Sequence, residues 1–122
     1  MSTTNAEPVE KTQEYLLCSA FEGGSNYWYR IEDYKYPEGK AKKDFEFPYI
    51  ELPFSGGVVK VRDMEADVKK VYLLNGRALK RGWKVMLEKY PHHYADAVTG
   101  QHDAITGDVF LQCCLFGDVI YG

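Results

Sequence analysis

The sequence predicts an α+β fold: a short N-terminal helix, an antiparallel sheet of three to five strands, and two or three C-terminal helices packed on one face. Three observations predict it. Leu79, Trp83, Met86, Leu87 and Tyr90 recur at helical spacing and are stopped by Pro91. Val58 to Arg62 and Val68 to Leu74 instead follow strand patterning on either side of the acidic turn Met64 to Asp67. Helical patterns also stand at both ends of the chain with extended ones between, an order that segregates helices from the sheet.

Residues 1 to 11 are polar, contain Pro8 and have little to bury, so they read as a disordered tail before a single domain at 12–122. Thr12 is placed to cap a helix of about three turns carrying Leu16, Leu17, Ala20 and Phe21, with Gly23 as its positive-φ stop. Ser25 to Tyr36 reads as a strand. Its alternation sends Tyr27 and Tyr29 to one face, Asn26 and Trp28 to the other. Pro37 to Lys43 is a solvated loop. Residues 44 to 54 look extended, with Pro48 and Pro53 confining them to a sheet edge. After the Leu79 helix, His92 to Val98 continues as a short helix up to Gly100, and residues 106 to 116 form an apolar helix stopped by Gly117. That last helix is apolar nearly all round, which suits a core position or a subunit interface. Asp118 to Gly122 reads as one more short strand.

At 122 residues the chain is one domain by length, with enough interior for a single core. Ten of its eighteen aromatic residues are Tyr, whose ring with a wet end suits interfaces and ligand walls. The net charge of −3 argues against a general nucleic-acid binder. Cys18 and the vicinal Cys113-Cys114 fit neither a disulfide framework nor a zinc site, and point to a reducing cytoplasm. The expected protein is soluble, with no export signal and no membrane partner.

The residues able to do chemistry are few, and each has a plainer reading beside the functional one. Gly23-Gly24 follows a helix and precedes a strand, the reverse of a nucleotide-binding glycine loop, so no cofactor is implied. The pair either ends the helix or places Asn26 and the cluster of Tyr27, Trp28 and Tyr29 around a planar ligand. His92, His93, Asp96, His102 and Asp103 are the densest set of metal-ligand types, yet their spacing matches no established site. Cys113 and Cys114 in an apolar helix read as inert small hydrophobes. Asp103 and Asp108 are placed to cap the final helix, whereas Gln112 in an apolar stretch must find partners in the core, in a ligand or in a second copy. Arg77 and Arg81, one turn apart, either form a solvated face or clamp a phosphate or a carboxylate partner.

The stretches AFEGGSNYWY at 20–29 and HYADAVTGQHDAITGDVFLQCCLFGDVIYG at 93–122 resemble a group of small uncharacterised proteins encoded by tailed bacteriophages and prophages. The likeness lies in an AxEGGxxYW start and a GDVxLQxxLFGxxxYG end, and covers about a third of the chain. It implies that Glu22, Gly23, Gly24, Tyr27, Trp28, Asp103, Asp108, Gln112, Phe116, Gly117, Tyr121 and Gly122 define the group. It also implies a phage source, action in the host cytoplasm and no particular activity. The expectation is therefore an accessory protein that acts by binding a small molecule, a nucleotide or a host protein, including proteins of host defence, as a homodimer or larger oligomer. Its expected ligand-binding residues are Glu22, Asn26, Tyr27, Trp28, Arg77, Arg81, Asp103, Asp108 and Gln112, with no catalytic residue and no metal. Two alternatives stand beside it: a small hydrolase using the Asp and His residues of 92–108 with or without a divalent metal, and a structural or regulatory phage subunit.

Overall fold

The computed structural model describes residues 9–25, 27–101 and 103–122. Helix α1 (Val9–Ser19) runs into one wider turn at Ala20–Gly24, and strand β1 (Tyr29–Lys35) follows. A four-residue helix α2 (Pro48–Glu51) precedes strands β2 (Val58–Asp63) and β3 (Lys70–Leu74). Three helices close the order: α3 (Gly76–Lys89), α4 (Pro91–Val98) and α5 (Ala104–Phe116). The strands form one antiparallel sheet in the order β1-β2-β3, with the C-terminal helices packed against it. The α+β class and its helix segregation are thus as the sequence predicts, with three strands.

Several boundaries differ for physical reasons. Among the described residues helix α1 begins at Val9, so residues 9–11 are helical and Thr12 is a buried interior residue and not the cap. Glu10 supplies the acid that suits a first turn, and Val9 continues the face occupied by Gln13. Residues 44–54 are not an edge strand. Pro48 and Pro53 stand in the first turns of short helical segments, where a missing N–H costs nothing. Gly23 has φ 174°, so it is not in the left-handed region expected of a helix stop. Strand β1 begins only at Tyr29, because the side chains of Ser25, Tyr27 and Trp28 are held on Asp108 of α5. Residues 118–122 are irregular and not a further strand, for a reason given below.

The interior is built around α5. Val109, Phe110, Leu111, Cys113, Cys114 and Leu115 are all buried, and α1 and α3 lie across this helix. Two crossings are close enough to demand glycine. A Cβ on Gly107 would stand 2.7 Å from the Leu16 carbonyl oxygen of α1, and one on Gly82 would stand 2.3 Å from the Cys114 sulfur. Leu16 and Leu17 of α1, Met86 of α3, and Val59, Val61 and Leu74 of the sheet complete the core. The all-round apolarity of the last helix is therefore spent inside one chain, not at a subunit interface. Burial pushes the Cys113 thiol up to about 12 and the Cys114 thiol well above the ordinary range, as expected of inert core cysteines. Asp103 caps α5 by accepting from the Thr106 N–H at 3.0 Å, and Gly117 ends it in the left-handed region at φ 74°.

Candidate functional site

Asp108 lies one turn inside α5 and is only 8% exposed. A carboxylate so deep in an apolar helix must have its oxygens satisfied, and four neutral donors do so. Ser25 Oγ donates to Oδ1 at 2.6 Å and Trp28 Nε1 to the same oxygen at 2.8 Å. Gln112 Nε2 donates to Oδ2 at 2.9 Å, and the Tyr27 hydroxyl reaches that oxygen at 3.2 Å. Helical spacing places Gln112 beside Asp108 on one face. Local turns place the others: Ser25 N–H bonds back to the Ala20 carbonyl, Trp28 N–H to the Ser25 carbonyl, and Met64 N–H to the Trp28 carbonyl. Ser25, Tyr27 and Trp28, between α1 and β1, thus gather around Asp108.

Gln112 answers the question its burial poses. Its Oε1 accepts from the N–H groups of Ile120 and Tyr121, both at 2.9 Å, while Nε2 donates to the Tyr121 carbonyl at 3.0 Å as well as to Asp108. One side-chain amide thereby satisfies the N–H groups of Ile120 and Tyr121 and the Tyr121 carbonyl, which holds the segment against α5 without its joining the sheet. Tyr121 then lies over Trp28, ring centroids 5.8 Å apart and nearly parallel, with its hydroxyl 2.8 Å from both oxygens of Asp63. Asp63 is itself buried and accepts from the Glu65 and Ala66 N–H groups. Burial and the Asp63 carboxylate push the Tyr121 phenol up to about 12. At its other end the segment is anchored by Tyr90, whose hydroxyl donates to Asp118 and accepts from the Val119 N–H.

Between this segment, α5 and Tyr27 lies a groove of about 590 Å³. Ile105, Val109 and Val119 give it aliphatic walls, Tyr27 and Tyr121 give it ring edges, and Asp108 is its charged group. Its volume falls in the range of small-molecule sites, and a mostly apolar lining with few polar groups is their usual character. A second, shallower groove of about 460 Å³ between α1 and α3 is lined by Val9, Gln13, Trp83 and Leu87, with Lys80 and Lys84 beside it.

The expected site residues divide accordingly. Tyr27, Trp28, Asp108 and Gln112 come together, although Trp28 is fully buried and stacks on Tyr121, so it has no face left for a ligand base. Tyr27, 48% exposed, is the ring that a ligand can reach. Glu22 is elsewhere, exposed, accepting from Cys18 Sγ at 3.2 Å and the Tyr49 hydroxyl at 3.3 Å. Arg81 gives its guanidinium to the Cys114 carbonyl, and Arg77 is exposed on α3 without sharing that contact. Asp103 is occupied as a helix cap, and its carboxyl is held below the usual range chiefly by the Thr106 N–H. Asn26 and His102 lie outside the described residues. Among the described residues no three His, Cys, Asp or Glu side chains gather as a metal site.

Ser25, Asp63, Ile105 and Val119 belong to the site without having been singled out by sequence. For Ser25 and Asp63 no local signal exists, because their partners lie 83 and 58 residues away. The useful signal was the pair Asp108 and Gln112, two polar residues four apart in an apolar helix. Comparison with known proteins adds no relative to this geometry: no family model, curated protein or solved structure matches the chain.

Proposed function

We propose that the protein acts by binding, as a phage-type accessory protein of the kind its end motifs resemble, and that it sequesters a small molecule in the groove beside Asp108. One observation carries this reading. A buried carboxylate forms part of the lining of an aliphatic groove of ligand size, and the outermost of its four donors is the half-exposed Tyr27. Ser25, Trp28 and Gln112 hold the carboxylate from behind and so preorganise it, which lowers the ordering cost of binding.

The nucleotide version of the binding expectation is not retained. Trp28 has no exposed face, the Arg81 guanidinium is engaged with a carbonyl of α5, and no basic side chain lines the groove. The buried part of α5, Thr106 to Leu115, packs inside the chain and so gives self-association no support of its own. The site is accordingly read as complete within one chain.

A saturation-transfer NMR fragment screen tests the proposal. Fragments that bind the wild-type chain are expected to be lost from Ile105→Trp, a substitution at a position 64% exposed that narrows the groove without entering the core. Hits indifferent to Ile105→Trp and to Tyr27→Ala would place binding elsewhere and refute it.

A further inference from the structure

Resting on the groove reading above, we infer that the ligand is an organic cation, a primary ammonium group carrying an aliphatic body. Asp108 is more than nine-tenths buried and all four of its partners are neutral. Among the described residues neither Lys nor Arg forms an ion pair with it. Neutral donors satisfy its lone pairs but leave its charge without a counter-ion, and buried carboxylates are normally paired with one. The cation is therefore to come from outside, through the groove that Asp108 lines.

The geometry specifies where it sits. Of the four bonds to Asp108, that from Tyr27 is the longest and comes from the most exposed side chain, so it is the one a stronger donor displaces. An ammonium N–H on Oδ2 replaces a neutral bond by a charge-assisted one, about twice as strong. The displaced hydroxyl is an ordinary phenol, neutral at neutral pH, and its half-exposed ring can turn onto the cation. The aliphatic body then lies along Ile105, Val109 and Val119. An anion is repelled by Asp108, and a neutral molecule leaves the charge unpaired.

Calorimetric titration of the full chain with three probes of one shape, hexylammonium chloride, 1-hexanol and sodium hexanoate, tests the ligand class. Hexylammonium is expected to bind saturably at one site, about tenfold or more tighter than hexanol, with no heat of binding from hexanoate. In Asp108→Asn that preference should vanish, and in Tyr27→Phe, where no donor need be displaced, hexylammonium should bind severalfold more tightly. The comparison of probes on the wild-type chain stands even if Asp108→Asn does not fold. Hexanol or hexanoate binding as tightly as hexylammonium overturns the cation while leaving the groove as a site. Silence from all three overturns the cation as well. The groove reading itself falls only if the fragment screen also finds nothing there.

Discussion

At the residue scale, Asp108, Gln112 and Tyr121 decide how the ends of the chain meet. Replacing Asp108 by Ala strands the buried donors of Ser25, Trp28 and Gln112, and should cost about 3 kcal/mol or more in denaturant unfolding. Asp108→Asn keeps an acceptor for Ser25 and Trp28 but sets an amide against Gln112, so a milder loss of about 1–2 kcal/mol is expected. Tyr121 gives a pH signature. Its phenol is raised to about 12 in the folded protein against an ordinary value near 10, so the neutral form is the one folding favours. The stability it contributes is present in full below about pH 10 and is lost as pH rises toward 12. Unfolding measured across that window should show this loss in the wild-type chain and less of it in Tyr121→Phe; equal slopes would remove Tyr121 from the explanation. The demand that Gln112 find partners was legible in sequence. That it would take the backbone groups of residues 120–121 was not, because the pattern of five residues cannot tell a strand from an irregular segment held by a side chain.

At the scale of elements, α5 carries most of the fold, and its apolarity, its Asp103 cap and its Gly117 stop were all readable from local pattern. Its neighbours were not, since nothing local in "ITGDVF" says that α1 crosses at Gly107. Gly107→Ala drives a methyl into the backbone of α1 and should destabilise by about 1–3 kcal/mol, whereas alanine at a helical glycine free of contacts would stabilise; a gain would mean that α1 and α5 do not meet there. The thiols give a second check on the same packing. At pH 8 a thiol reagent such as Ellman's should modify at most Cys18 in the native chain, and all three cysteines after unfolding, because Cys113 and Cys114 are buried and their thiols raised. Fast modification of two or three native thiols would contradict the burial of α5. The misread stretch at 44–54 teaches a different point. Proline excludes a central strand and favours a helical first turn equally well, and only the surrounding chain chooses between them.

At the scale of the whole molecule, the site is a product of topology. The turn after α1, the middle of α5 and residues 118–122 are remote in sequence, and the sheet brings Asp63 to the same place through Tyr121. Part of it was visible in advance, since Tyr27, Trp28, Asp108 and Gln112 all stood among the expected ligand-binding residues and all converge. Glu22 and the two arginines did not join them, because residue type and spacing say which groups are able to bind but not which loops the fold folds together. The central claim is that the groove lined by Tyr27 and Asp108, and not the second groove between α1 and α3, is where this protein binds. Methyl-resolved NMR of the full chain, titrated with a fragment that binds it, tests this most directly. The account predicts saturable shifts at Ile105, Val109 and Val119 with Val9 and Leu87 unmoved; shifts centred on Val9 and Leu87 instead would contradict it.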